Sequence, residues 1–571
     1  MYYKVIEEAK KILEHGLYKL NLEILDEIKL EFPPNYDMGD LTSILSFELA
    51  KRLKKSPDDV SKMIIKELDY GKYFKKIEAT GPYINFFIAY DKFVKDFLSD
   101  INEDYGNFTQ KNLKIILEHT SANPNGPLHI GHIRNGIIGD CLSRLLKVSG
   151  NKVVTQYYVN DMGRQTAMIV FGVKKLNLKV DEESSMKIDH EVGDLYFKVN
   201  QELNKNPDIK NDVDMIIKKY ESGIDPNLNK IFKQYVNYCL KGVKETLLKL
   251  NISHDEFVWE GQFVRSGDVD RVIDSLIDSG YTKENEVLYL DLEEGFGIDK
   301  ELVLKRSDGT SLYSTRDLAY HIKKSQVGDL VVDILGSDHK LVSRQLSAGL
   351  EILGEKTPEV VFYEFITLPE GSMSTRRGVF ISSDDLIDEA IKRSKEELEL
   401  RRPELNSEYL DKISQIIGIG AIRYYIAKLS PEKHITFKWD DALSFEKGCV
   451  SIQYAHARAC KLLKKSDKYN DGDLNISVDE IENWELDKSE IDLIRLLAKF
   501  PLVIKESAKI LRVHLMAHYV QDLATAFNKF YKSQKVIGDE NELARLLIVN
   551  KTKITIRNAL NILGIEAPEF I

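Results

Sequence analysis

Cysteine is scarce in this sequence. Its 571 residues include four: Cys141, Cys239, Cys449 and Cys460. No two form a CxxC pair and no Cys/His group has zinc-ligand spacing, which excludes a disulfide scaffold and a zinc module. So few thiols in so long a chain fit a reducing compartment. Cys141 is expected to be a buried, inert thiol. No run approaches the ~20 apolar residues of a membrane span. The N-terminal MYYKVIEEAKKILEHG carries charge throughout and lacks the apolar core of a signal peptide, so a cytoplasmic protein is expected. There is no repeat of about 20–50 residues and no low-complexity segment. Positive charge is short as well: 80 Lys and Arg stand against 91 Asp and Glu, a net charge of −11. This excludes a uniformly basic surface but permits a local one.

What is present is ordinary globular composition, 43% hydrophobic and 30% charged. The length predicts three or four domains. Residues 3–14, 40–54 and 59–69 have helical periodicity, and 76–88 switches to strand-like composition, which together predict a small α+β unit over 1–105. NLKIILEHTS (112–121) then reads as a buried strand running into a Ser/Asn/Pro/Gly turn, a helix from about Gly131 to Ser149, and a second strand at 152–161. That is a βαβ unit, and it predicts a Rossmann-type parallel sheet domain over 106–395. Further strands are expected at 286–292, 302–306, 329–335 and 359–366, with a charged helical insertion at about 166–265. Residues 396–571 read as a helical bundle, from apolar spacing in 411–428, 446–464, 489–532 and 541–562, with a polar loop near 466–480.

The chemistry concentrates in LEHTSANPNGPLHIGHIRNGIIGD (117–140). His129, Gly131 and His132 form HIGH where a helix is predicted to begin after a strand. A helix N-terminus offers unpaired N–H groups and positive dipole charge to phosphates. Gly131 permits close approach of a nucleotide, and two imidazoles can donate to phosphate oxygens as charge grows. LPEGSMSTRRGVFIS (368–382) sets Met373, Ser374, Arg376 and Arg377 on a glycine-flanked loop, a candidate clamp for a triphosphate. Tyr313 and Asp317 are four apart, on one face of a predicted helix, and together suit a cationic head group. Gly336, Asp338 and His339 follow a strand, at the end where ligands gather in such sheets.

Taken jointly and in this order, these segments resemble class I aminoacyl-tRNA synthetases, specifically the arginyl family. YYVNDMGRQ (157–165), YSTRDLAYH, GSDH, SIQYAHARA (451–459) and ATGPYINFF (79–87) extend the likeness over nearly the whole chain. The resemblance implies an enzyme that joins arginine and ATP into arginyl-adenylate and then charges the terminal adenosine of tRNA. It implies an N-terminal tRNA-binding domain and a helical anticodon-binding domain. For ATP it implies Pro124, Gly126, Leu128, His129, Gly131, His132, Gly336, Asp338, His339, Met373 and Ser374, with His129 and His132 acting on the phosphates; Arg376 and Arg377 are the local cations of the loop, one of which is expected to support pyrophosphate departure. For arginine it implies Ser121 and Asn123 at the α-amino and carboxylate groups, Tyr313 and Asp317 at the guanidinium, and Gln345 and Glu118 as further pocket residues. Glu118 is equally tenable as a strand-lining residue beside Asn123. For tRNA it implies Asn85, Gln453, Tyr454, His456 and Arg458. Core packing is the competing and slightly favoured role for Tyr454, and of Phe86 and Phe87 one is expected in the core and the other exposed. Mg²⁺ would come with ATP, without a dedicated protein site, and a monomer is expected.

The chain departs from the family pattern in three places. Ser372 and Thr375 stand where the KMSKS-like loop would carry lysines, and Asn125-Gly126-Pro127 supplies no substitute. Ser451 stands where an aromatic residue often precedes QYAHAR, and the chain ends Glu569-Phe570-Ile571 instead of Arg-Met. Another class I synthetase, or a non-catalytic tRNA-binding protein on the same scaffold, are the alternative readings. Residues 501–571 carry ten Lys/Arg against seven Asp/Glu, so a polyanion would meet a restricted basic face and bind less tightly as salt rises.

Overall fold

The computed structural model describes residues 2–571 apart from 24–26, 110–112, 308, 368–381, 445, 471–472, 475–480 and 482–483. The sheet at its centre is five-stranded and wholly parallel. Its strands are β1 (Lys114–Glu118), β2 (Lys152–Val159), β3 (Glu256–Trp259), β4 (Leu330–Gly336) and β5 (Glu359–Tyr363), in the order β5-β4-β1-β2-β3. Ile115, Ile116 and Leu117 of β1 are all buried, as a central strand covered on both faces requires. The strand order reverses between β1 and β4, and such a switch point leaves a crevice at the strand C-termini.

The strands expected near 286–306 are present but join another sheet, and one strand was not expected at all. Residues 288–290 and 302–305 lie outside this sheet and form a small antiparallel sheet with Thr282–Glu284. The edge strand β3 comes instead from within the range expected to be helical insertion. Its four residues are too few to show a period, and they follow the long helix Pro226–Lys249. The insertion proper is helical, from Arg164–Lys175 through Pro226–Lys249.

The N-terminal unit packs helices against a four-stranded antiparallel sheet. Leu41–Ser43 is a strand of that sheet, where helical periodicity had been expected from residue 40, and 76–88 is a hairpin of Phe74–Thr80 and Tyr83–Ile88. Phe86 is fully buried, as the alternation predicted for one of the pair, while Phe87, expected to be exposed, is half-buried under the Lys76 ammonium. This unit docks on the C-terminal bundle through Asp40, which accepts from Arg495 Nε at 2.7 Å and Tyr90 OH at 2.6 Å.

The C-terminal region is a bundle of helices including Ser407–Ala427, Cys449–Leu463, Lys488–Lys509, His514–Ser533 and Glu542–Ile562. The apolar pattern over 489–532 is broken at Leu511, which takes a left-handed conformation (φ 53°) between two of these helices. Within the polar interval Tyr469–Asn470 pairs with Asp473–Leu474. All four cysteines are buried and unpaired, and burial pushes the Cys141 thiol up to about 11, consistent with inertness. Among the described residues no helix is long and apolar enough to cross a membrane.

Candidate active site

The HIGH segment lies where β1 hands over to the helix Ile130–Val148. His129 is the N-cap of that helix, and its Nδ1 accepts the Gly131 N–H at 3.1 Å. The His129 N–H in turn points to His132 Nδ1 at 3.3 Å, and the two rings stack with centroids 3.6 Å apart. With both Nδ1 atoms accepting, the proton of each neutral ring sits on Nε2. Burial lowers the pKa of both imidazoles, so they are neutral donors at pH 7. A Cβ on Gly131 would meet His129 Cε1 at 3.0 Å. The missing side chain therefore makes room first for the capping ring. Leu128 and Pro124 are buried, and the Leu128 carbonyl accepts the Ser383 N–H at 2.8 Å. Gly336 ends β4, while Asp338 and His339 are exposed on the following turn. Met373, Ser374, Arg376 and Arg377 lie outside the described residues.

The second part of the site is a chain of charges across the switch point. Asp317, on the helix Tyr313–Val327, faces His321 Nδ1 at 3.1 Å. His321 Nε2 reaches Asp333 of β4 at 2.7 Å. Lys324 Nζ joins Asp333 at 2.7 Å to Glu118, at the end of β1, at 2.8 Å. Glu118 also accepts from Ser121 Oγ at 2.9 Å, and Ser121 Oγ accepts the Tyr158 N–H at 3.0 Å. Burial and Lys324 oppose the charged form of His321, but Asp317 and Asp333 outweigh them and raise its pKa to about 10. Asp333 is held well below the carboxylate range, because Lys324 and His321 overcome its burial. Burial raises Glu118 against the pull of Lys324.

Formal charges then count three carboxylates (Glu118, Asp317, Asp333) against two cations (His321, Lys324). These five groups thus leave one negative charge among themselves, with the Arg316–Glu260 pair, 3.7 Å apart, beside them. Tyr313 lies beside that charge, 41% exposed and 6.4 Å from the Tyr158 ring. Asn123 is exposed on the loop after β1, bonded to Asn160 at 3.2 Å. Gln345 is different: it is buried and its amide donates to the carbonyls of Lys300 (2.7 Å) and Glu301 (3.2 Å). His321, Lys324 and Asp333 escaped the sequence reading. Asp317, His321 and Lys324 share the i, i+4, i+7 helical spacing, and an acid inside a buried strand is itself a signal.

The described residues hold two groups with metal-ligating atoms, Glu118–His321–Asp333 and Asp189–His190–Asp384. A lysine ammonium already bridges each, Lys324 in the first and Lys187 in the second, so neither donor set suits a resident cation.

The family models decide the kinship. "tRNA synthetases class I (R), catalytic domain" matches residues 94–439, "Arginyl tRNA synthetase N terminal domain" matches 7–88, and "DALR anticodon binding domain" matches 452–571. The chain belongs to the class I arginyl-tRNA synthetases. It is 56% identical to an arginine–tRNA ligase of Methanothermobacter thermautotrophicus, with all of both chains covered. It is 47% identical to that of Methanocaldococcus jannaschii, over 99% of this chain and 98% of the relative. The Thermus thermophilus arginyl-tRNA synthetase structure superposes with a TM-score of 0.84 at 24% identity, covering 99% of this chain and 100% of the other. That last likeness speaks for the fold.

The anticodon-type helix Cys449–Leu463 of this synthetase chain divides by face. Gln453 and His456 are buried: Gln453 Nε2 donates to the Glu566 carbonyl at 3.0 Å, and His456 Nδ1 lies 2.9 Å from that of Pro568. They secure the chain's own tail, where tRNA contact had been expected. Asn85 is likewise buried, bonded to Thr80 at 3.2 Å. Tyr454, for which core packing was slightly favoured, is 44% exposed, because it falls on the opposite face. The Arg458 guanidinium lies between the Tyr454 and Tyr531 rings, 4.9 and 4.8 Å from their centroids, and bonds Asn528. Lys529, Lys532 and Lys535 are exposed nearby in sequence to Tyr531.

Proposed function

We propose that this arginyl-tRNA synthetase chain works as follows. It ligates L-arginine to tRNA in two steps: ATP-dependent formation of arginyl-adenylate with release of pyrophosphate, then transfer to the 3′-terminal adenosine. The observation that carries the arginine assignment is the surplus of carboxylates over cations in the Glu118–Lys324–Asp333–His321–Asp317 chain at the β1/β4 crevice. A guanidinium completes it, with Asp317 as the bidentate acceptor, Tyr313 beside it and Glu118 behind. Ser121 and Asn123, on the loop that leaves β1, hold the α-amino and carboxylate groups. The substrate carboxylate attacks the α-phosphorus and pyrophosphate leaves, so no protein nucleophile is required. His129 and His132 donate from Nε2 to the phosphates, and the helix N-terminus behind them offers positive dipole charge. One of Arg376 and Arg377 supports pyrophosphate departure in place of the absent loop lysines. Mg²⁺ accompanies ATP through its phosphates and water.

The N-terminal unit (1–105) and the bundle (396–571) bind tRNA, the latter through Tyr454, Arg458 and Tyr531. Two exposed rings flanking a guanidinium suit stacking on unpaired bases. The test is ATP–pyrophosphate exchange with each of the twenty amino acids, with and without tRNA. Exchange specific to arginine is expected. Exchange with a different amino acid, or none beside tight tRNA binding, would refute the reading.

A further inference from the structure

The helical insertion meets the HIGH segment at two points and the helix beside it at a third. A Cβ on Gly126 would lie 3.1 Å from Gly193 Cα, on the helix Ile188–Lys205. Cys239 Sγ, on the helix Pro226–Lys249, donates to the Gly126 carbonyl at 3.2 Å. The third point is Asp384, buried in the first turn of the helix Ser383–Arg401. Its Oδ2 lies 2.8 Å from Lys187 Nζ, 3.1 Å from Thr246 Oγ1 and 3.3 Å from His190 Nε2, and its Oδ1 lies 3.2 Å from Lys249 Nζ. Every one of these four donors belongs to the insertion. Asp189 packs under the same lysine at 3.2 Å.

The two residues before Asp384 are those that touch the HIGH segment. Ser382 forms a bridge with His129, and the Ser383 N–H donates to the Leu128 carbonyl at 2.8 Å. One carboxylate, held by four donors on one side, thus fixes a two-residue strip that pairs with the capping histidine on the other. Burying a carboxylate is costly unless its partners are well placed, and here they all come from a single neighbouring unit.

We propose that Asp384 is a positioning residue for the ATP-using half-reaction: through Ser382 and Ser383 it holds the His129 imidazole where the phosphates enter, and the insertion is the strut that holds Asp384. This rests on the arginine-activating reading above. Displacing a catalytic group by about 1 Å costs on the order of a hundredfold in rate, so a loosened strip should register in ATP kinetics.

The experiment measures ATP–pyrophosphate exchange with the full chain, arginine and tRNA, for Asp384→Ala, Asp384→Glu and Lys249→Met. Asp384→Ala should lower kcat/KM for ATP about ten- to a hundredfold while KM for arginine stays within about twofold. Asp384→Glu should recover part of that loss, and Lys249→Met should move ATP parameters several-fold in the same direction. If Asp384→Ala does not fold by circular dichroism, Lys249→Met decides, since that side chain is 46% exposed. Unchanged ATP parameters in a folded variant, or equal losses for ATP and arginine, overturn the proposal. An unaltered chain without arginine-dependent exchange overturns instead the activity on which it rests.

Discussion

Replacing Asp317 by Asn tests the charge count of the arginine pocket directly. The side chains are nearly isosteric, so the change removes one formal negative charge and little volume. Glu118 and Asp333 would then stand against His321 and Lys324, two against two, and an incoming guanidinium would find no net attraction. Truncating one member of a buried charged pair costs about 2–5 kcal/mol. At 1.36 kcal/mol per decade this is about a 30- to 5,000-fold loss in kcat/KM for arginine. The assay is tRNA-supported ATP–pyrophosphate exchange with arginine varied, repeated with citrulline, which is neutral and of similar shape. KM for ATP should stay within about twofold, because the loss is confined to arginine binding. The preference for arginine over citrulline should collapse in the variant, since Asp317 no longer punishes a neutral ligand. A loss below about threefold, or an undiminished arginine-to-citrulline ratio, would refute the assignment of Asp317.

Gly131→Ala should push the His129 ring from its cap, given the 3.0 Å approach to Cε1, and lower kcat/KM for ATP about tenfold or more; wild-type kinetics would sink the capping argument. Arg423 is wholly buried and donates to Leu563 O at 2.8 Å, to Leu250 O and to Asp140. Arg423→Met should lower thermal stability by about 3–5 kcal/mol, read as a fall in unfolding temperature, and a change under about 1 kcal/mol would contradict it. His456 has its pKa lowered by burial to about 4, below its unfolded value of about 6.5. Its neutral form is the folded one, so its stabilisation is present above pH 6.5 and is lost as pH falls toward 4. Amide hydrogen exchange over residues 563–571 should therefore rise between these pH values, and flat exchange would refute the linkage. Arg458→Ala should weaken tRNA binding and flatten its salt dependence by roughly one unit of slope, whereas unchanged affinity would count against that face.

The parts most legible in the sequence were those set by local chemistry. The turn cluster before HIGH, flanked by an apolar run and a helical stretch, located β1, the capped helix and the crevice. The helix that carries Tyr313 and Asp317 one turn apart was legible from spacing. What escaped depends on partners far away in the chain. Gln453 and His456 look like exposed polar residues until the carbonyls of Glu566 and Pro568, more than a hundred residues on, come to cover them. With that face taken, Tyr454 must turn outward. The strand β3 was missed because four residues amid charged helix carry no detectable period, and the strands near 288–305 were legible as strands while the sheet they join was not, because apolar runs do not declare their neighbours. Lys324 and Asp333 carry weak local signals that the ion pairs of helix and strand make plain, whereas Asp384 becomes conspicuous only beside the insertion.

The tail also bears on how the protein is made. Residues 563–571 are threaded back along the bundle: Leu563 O accepts from Arg423, Gly564 O from Asn251, Glu566 O from Gln453 and Phe570 O from Tyr409, while Lys464 pairs with Glu569 at 2.7 Å. These acceptors are synthesised after every group that awaits them. Before this stretch is made, Arg423 has Leu250 O and Asp140 but not Leu563 O, while Gln453 and His456 lack the Glu566 and Pro568 carbonyls. Closure of this part of the core therefore waits on residues 563–571, however early the helices that they cover have formed.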